Sequence, residues 1–296
     1  MIEVVRLGRT FAARVEGVDA RHPMRPDEFD QVVAAFHDHG VLIFPGQDID
    51  DAQQIAFSSA FGTLEWNMRK TPLAPEIVDV SNFTPDGKLI PPGDPKKYFN
   101  DANQLWHTDG SFNENPSVAS LLSGREIPPE GGNTEFADMC AAWDALPDAK
   151  RKQIEGLVAV HNLAHSRRQV GLDEIGTLLI LPRPPVHQVL VRTHPATGRK
   201  SLYIASHIER IEGLSDSESK ALIDELMAWA TRPEFVFTHV WAPKDLVMWD
   251  NRRTMHRARP FPGYEKFRRI MHRTTVAGLG PTVKDGRAIE EDRASV

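Results

Sequence analysis

The sequence predicts a mainly β protein, a sheet sandwich or jelly roll with helical cover. Three features predict it. Short strand-like runs recur along the whole chain and end in glycine or proline turns. Only a few segments carry helical periodicity. Strands and helices never alternate in the rhythm of βαβ units, so most strands must find partners far away in the sequence.

Residues 26–39 place Phe29, Val32, Val33 and Phe36 at helical spacing, and Gly40 stops the run. Val41 to Phe44 then reads as a short buried strand closed by Pro45 and Gly46. A second helix spans about 50–61, with Ile55, Ser58 and Phe61 roughly on one side and Gly62 as its terminal punctuation. Prolines and glycines crowd residues 68–103, where only 77–82 looks like a strand. A loop of that length inside a domain reads as an active-site lid. Residues 117–123 are strand-like, and Gly131-Gly132-Asn133-Thr134 turns into Glu135 and Phe136. One helix follows from about Asp138, and another is opened by Pro147 in the first-turn position that proline tolerates. The stretch 167–185 reads as an irregular insert. Residues 189–194 and 202–205 flank a turn and read as a hairpin. Ser215 to Glu218 is a capping box, with Leu222, Leu226 and Trp229 on one face behind it. Residues 235–241, 246–249 and 267–276 complete the strand candidates. The 296 residues are expected to form one domain.

Composition narrows the function. With 35 basic and 41 acidic residues the net charge is −6, which offers no polycationic face for nucleic acid or an anionic membrane. No apolar run approaches the roughly 20 residues that cross a bilayer. The N-terminus lacks a secretory pattern, and one cysteine, Cys140, excludes an internal disulfide framework. A cytoplasmic protein is expected, with Cys140 buried and inert.

The chemistry gathers at Trp106-His107-Thr108-Asp109-Gly110. At the two-residue period of an extended chain, His107 and Asp109 leave the same face and can reach one ion. A strand-like run beginning at Trp249 offers His256 as a third ligand. Two imidazoles and one carboxylate on one face of an ion, with other positions open, suit Fe(II), although zinc or manganese would also fit. Downstream, Arg269 and Arg273 lie four residues apart and share one strand face, with Ile270 and His272 on the other. Two guanidiniums on a buried face need anions. Protein carboxylates would serve, but beside a metal triad two small-molecule carboxylates are favoured, each held by a bidentate fork. Lys70 and Lys88, in the lid, are further cations that could meet an anionic substrate or remain solvated.

Taken together, His107-Thr108-Asp109, Gly131-Gly132-Asn133-Thr134, Trp249-Asp250-Asn251-Arg252 with His256, and Arg269-Ile270-Met271-His272-Arg273 resemble the taurine/2-oxoglutarate dioxygenase superfamily. The likeness runs from Val41 to Thr275. Residues 102–107, Asp138-Met139 with Asp144-Ala145-Leu146-Pro147, and Val191-Arg192-Thr193-His194 resemble its 2,4-dichlorophenoxyacetate branch more than its taurine branch.

The resemblance implies a double-stranded β-helix, with His107, Asp109 and His256 as iron ligands. It also implies Thr134 and Arg269 on the C5 carboxylate of 2-oxoglutarate, and Arg273 on the anion of the primary substrate. Fe(II), 2-oxoglutarate and O2 would be required, and succinate and CO2 released. Hydroxylation at the ether carbon of an aryloxyalkanoate would give a hemiacetal that falls apart to a phenol and glyoxylate. His194 matches a substrate-side histidine of the branch. Arg210 stands where a second is expected, and His207 is as easily structural as functional. Rival substrates are taurine, other sulfonates and alkyl sulfates; a non-catalytic metal-binding jelly roll would release no succinate at all. By family likeness a homo-oligomer is expected.

Overall fold

Alternation along single strands dictates how the layers stack. In Val41–Phe44, Leu42 and Phe44 belong to one hydrophobic cluster and Val41 and Ile43 to another. The same split separates Leu246 and Met248 from Val247 and Trp249, and Leu121 from Leu122. A strand buried on both faces must lie in a central layer. The computed structural model describes residues 2–9, 11–66, 73–84, 86–172 and 183–289 and bears this out.

The larger sheet has seven strands, taken here in chain order: β1 (Glu3–Arg6), β2 (Ala13–Glu16), β3 (Val41–Phe44), β4 (Val78–Ser81), β5 (Ala119–Glu126), β13 (Leu246–Asp250) and β15 (Ile270–Val276). They are arranged in the spatial order β1-β2-β3-β13-β5-β15-β4. Facing it is a three-stranded sheet in which β6 (Thr134–Asp138) lies between β12 (Val236–His239) and β14 (Thr254–Ala258); β7 (Val158–His161), β8 (Val186–Val189) and β11 (Ile208–Ile211) form a second three-stranded sheet, and β9 (Val191–Thr193) and β10 (Lys200–Leu202) form a hairpin. Phe136 of the smaller sheet packs with Trp249 and Met271 of the larger in the layer between them. The helices α1 (Pro26–His39) and α2 (Asp51–Ser59) cover the outer face through Val32, Phe36 and Phe57. This is the double-stranded β-helix with helical cover. Among the described residues no helix is long and apolar enough to cross a membrane.

Several elements differ from expectation. The proline-rich segment expected to act as a lid contains a helix, α3 (Pro95–Ala102), because the Asp94 side chain accepts from Lys96 N at 2.7 Å and Pro95 occupies the tolerant first turn. Proline density masks that start signal. Pro147 stands one position earlier than expected, at the cap of the helix Asp148–Ile154. The helix Leu163–Arg168 ends inside the stretch expected to be irregular, and residues 173–182 of that stretch lie outside the described residues. The N-terminal pair β1 and β2 was not expected; Glu3–Arg6 is mostly exposed and has no core pattern to betray it.

Next to β5, Met271 pairs with Gly124 and Ile270 with Glu126, so Arg125 is one residue too many. The bulge belongs to β5, while β15 runs in unbroken register against β4. Arg269 and Arg273 therefore keep a common side, as their spacing requires.

A buried histidine in the strand Val158–His161 sets an acid limit on this fold. His161 ends the strand Val158–His161, fully buried and stacked on Tyr203, and neither ring nitrogen has a hydrogen-bond partner among the described residues. Burial lowers its pKa from 6.5 to about 3. The unfolded chain thus takes up a proton below about pH 6.5 that the folded chain refuses until about pH 3, and stability falls across that window as pH drops. His161→Phe should make the decline of Tm between pH 7 and 4 shallower in a calorimetric series. An unchanged slope would mean His161 is not a source of it.

Candidate active site

His107 and His256 are brought together by backbone before any side chain is considered. His107 N donates to His256 O at 3.0 Å and His256 N donates to His107 O at 2.7 Å, an isolated antiparallel bridge between the Trp106–Gly110 segment and β14. Their ring centres stand 4.2 Å apart. Asp109 closes the triangle, with Oδ1 at 3.9 Å from His107 Nε2 and Oδ2 at 3.8 Å from His256 Nε2. All three side chains are buried, and their ligand atoms lie within 4.8 Å of one another.

The surroundings prepare these atoms as ligands. His107 Nδ1 lies 2.8 Å from Leu105 O, which holds the proton there and leaves the Nε2 lone pair facing Asp109. Burial, opposed by Asp109, lowers the His107 pKa; burial and the nearby His107 lower that of His256, so both rings stay neutral. Burial would raise Asp109, but Arg273, His256, His107 and a hydrogen bond from Ser120 hold it down at about 2. Arg273 donates to Oδ1 at 2.6 Å and Ser120 Oγ to Oδ2 at 2.7 Å. Asn251 secures the segment: its Oδ1 accepts from Asp109 N and Trp249 Nε1, and its Nδ2 donates to Ser120 Oγ. Gly110 has φ +68°, and a Cβ there would lie 1.7 Å from Ser117 Oγ, so the turn behind the ligand pair admits only glycine.

Arg269 is buried and donates Nε–H to Gly132 O at 3.2 Å. Burial pulls its guanidinium down to about 10, with no carboxylate among the described residues opposing the shift. It lines a cavity with Asn82, Ala258 and Tyr264 that shares Val80, Asn100 and Asn103 with the cavity containing His107, Asp109 and Arg273. Thr134 begins β6 beneath Gly132, and its Oγ1 accepts from Trp241 Nε1 at 3.0 Å.

Comparison with known proteins places this arrangement. Residues 3–275 match the family described as "Taurine catabolism dioxygenase TauD, TfdA family". The chain belongs to the TauD/TfdA family. An alpha-ketoglutarate-dependent 2,4-dichlorophenoxyacetate dioxygenase of Cupriavidus pinatubonensis is 41% identical over 85% of this chain and 90% of that protein. The (S)-phenoxypropionate/alpha-ketoglutarate-dioxygenase of Sphingobium herbicidovorans is 34% identical over 93% and 95%. The crystal structure of AAD-2 in complex with Mn(II) and N-oxalylglycine superposes with a TM-score of 0.88 at 43% identity, covering 96% of this chain and all of that one. This TauD/TfdA enzyme is therefore a 2-oxoglutarate-dependent dioxygenase that uses Fe(II) and O2. The donor set fits that ion, because two neutral imidazoles and a carboxylate converge on one point, with both histidine Nε2 atoms turned toward Asp109.

Not every expected substrate contact of the dioxygenase lies in its cavity. His194 is fully buried elsewhere, with Nε2 at 2.8 Å from Asp250 Oδ2 and Nδ1 accepting from Thr197 N. Arg252 forks onto the same Asp250, so His194 belongs to a packed polar cluster and is not among the cavity residues. Lys88 is 80% exposed and pairs with Asp86, and Arg210 is half-exposed and pairs with Glu212. Neither lines the cavity. Lys70 lies outside the described residues.

In their place the TauD/TfdA enzyme presents Lys96, Arg167, Arg183 and His207 at the wall. His207 is buried against Phe112, ring centres 4.9 Å apart, and neither of its nitrogens has a hydrogen-bond partner among the described residues. The sequence left its role open. Nothing in the local pattern around Ser206-His207 distinguishes a cavity histidine from a core one. Cys140 is buried, and burial raises its thiol to about 12, as an inert cysteine requires.

Proposed function

We propose that this dioxygenase hydroxylates a small aryl-bearing organic acid, an aryloxyalkanoate of the 2,4-dichlorophenoxyacetate type, at its ether carbon. The observation that carries this is the division of cations between two joined cavities. Arg269 is buried at one with no carboxylate paired to it among the described residues, and Arg273 stands in the other beside Asp109. In this assignment Arg269 and Thr134 hold the distal carboxylate of 2-oxoglutarate, and Arg273 holds the substrate anion. His107, Asp109 and His256 hold Fe(II).

Bound iron, with 2-oxoglutarate and O2, supplies the oxidising chemistry that yields succinate, CO2 and a hydroxylated substrate. The protein's share is orientation and exclusion of water. The Leu105 carbonyl and the Ser120–Asn251 pair keep the ligand atoms aimed inward. Arg273 fixes the substrate carboxylate, so the adjacent ether carbon is the one presented to the triad. His207, neutral and with neither ring nitrogen hydrogen-bonded among the described residues, supplies a hydrogen-bonding wall, and Phe99 and Phe112 supply apolar contact. An ether carbon bearing a hydroxyl is a hemiacetal, which separates into a phenol and glyoxylate.

Succinate release across phenoxyacetates, taurine and alkyl sulfates tests the assignment. The aryl acids should give the highest kcat/KM, with phenol formed in equal amount to succinate. Faster turnover of taurine or an alkyl sulfate would replace the aryl acid as substrate. The family's expected homo-oligomer and cytoplasmic location accompany this proposal and do not bear on its chemistry.

A further inference from the structure

Among the described residues, the cavity that holds His107, Asp109 and Arg273 is lined by the benzenoid and indole rings of Trp66, Phe99 and Phe112. Two of them already have a ring face engaged. The guanidinium of Arg167 lies 4.5 Å from the centre of Phe99. Phe112 has the His207 ring at 4.9 Å and the Arg183 guanidinium at 5.6 Å. Trp66 differs: among the described residues it shows neither a ring nor a cation partner, and it is 70% exposed. An isolated exposed aromatic on a protein surface needs no explanation. One at the rim of a substrate cavity does, because a large indole left in water gains most from burial when a flat partner arrives.

The backbone fixes where that indole stands. Leu64 bridges Val276, and Glu65 N donates to Thr275 O at 2.8 Å, so the segment is tied to the strand that carries Arg273. Glu65 itself accepts from Ser117 Oγ. The rim position of Trp66 is thus set by the same strand that sets the carboxylate anchor. A substrate held by its carboxylate on Arg273 extends its other end away from the guanidinium, and Trp66 lines the same cavity.

We propose that Trp66 is a specificity-determining residue, a stacking wall for the aromatic ring of the substrate. This rests on the aryl-acid assignment above and adds to it that ring recognition occurs at the rim, on one face of one indole. It also separates two tasks: Arg273 selects for charge, and Trp66 selects aromatic over aliphatic acids of the same charge.

The test compares the full-length protein with Trp66→Phe and Trp66→Ala. The measurements are KM from oxygen uptake and Kd from anaerobic calorimetry with Mn(II) and 2-oxoglutarate bound. 2,4-Dichlorophenoxyacetate and hexanoate serve as the paired probes. Loss of the wall should raise KM and Kd for the aryl acid about tenfold in Trp66→Ala. Trp66→Phe should recover most of that loss. Hexanoate affinity and the Kd for 2-oxoglutarate should stay within about twofold in both variants. Quenching of tryptophan emission by the aryl acid should be smaller in Trp66→Phe than in the wild type. An unchanged aryl-acid KM in Trp66→Ala, equal losses for both acids, or a change only in oligomeric state would overturn the proposal while leaving the aryl-acid assignment intact. Wild-type protein that neither binds nor oxidises any aryl acid would overturn both.

Discussion

His107→Ala should abolish iron-dependent turnover while leaving the metal-free fold as stable as before. Removing an outer-shell partner of a metal ligand commonly costs 10- to 100-fold, so removing a ligand should lower succinate formation by roughly a thousandfold or more. The fold should tolerate the change, because the imidazole is a buried polar ring whose protonation burial disfavours and which makes one hydrogen bond through Nδ1, to Leu105 O. Asp109 would still be held by Arg273 and Ser120. Two measurements separate the effects. Tm without metal should move by no more than a few degrees, and the rise in Tm on adding Fe(II) or Mn(II) anaerobically should disappear. His256→Ala should behave the same way. Full activity in either variant would remove that histidine from the metal site.

That experiment probes the part of the site that was most legible in the sequence. The spacing of His107 and Asp109 is a two-residue period, which geometry alone converts into a shared face. The third ligand needed a pairing across more than a hundred residues, and the bridge between His107 and His256 has no local signature. Its position followed from strand character and family likeness together. The supports were harder to see. Ser120 and Asn251 act through bonds to Asp109 that exist only when β5 and β13 lie side by side.

His194 lies away from the cavity for a related reason. A histidine that ends a strand in a branch-specific motif can face the substrate or the interior, and the buried carboxylate of Asp250 behind β13 decides for the interior. Arg210 sits on a strand whose neighbour Glu212 captures it. The sandwich was legible in the many short strands without βαβ rhythm, and its central layer fits Val41–Phe44 and 246–249, which are apolar at every position, the mark of strands covered on both sides. The helix Pro95–Ala102 was missed because its start is written in residues that usually signal loops.

The second large effect concerns the two arginines, which should fail in different ways. Arg269→Met should raise KM for 2-oxoglutarate by two to three orders of magnitude, since losing a buried charge pair costs about 2–5 kcal/mol. The same change should leave the metal-free protein at least as stable. The guanidinium is buried with no carboxylate paired to it among the described residues, and burial has already pulled its pKa down to about 10. A guanidinium lowered that far is still charged at neutral pH, so binding the distal carboxylate relieves a penalty that the empty protein carries. The rise in Tm caused by 2-oxoglutarate with metal should therefore be large in the wild type and small in Arg269→Met.

Arg273→Met should instead raise KM for the primary acid and leave 2-oxoglutarate largely unaffected. It has a further consequence at low pH. Burial alone would raise Asp109, and Arg273 is the foremost opposing influence that keeps it at about 2. Without that cation the Asp109 pKa rises, so metal must displace a proton at a higher pH than before. Metal affinity, measured by calorimetry from pH 7 down to pH 5, should fall more steeply in Arg273→Met than in Arg269→Met. Equal damage to 2-oxoglutarate binding in both variants, with matching acid profiles for the metal, would mean that the two guanidiniums do not divide the acids between them.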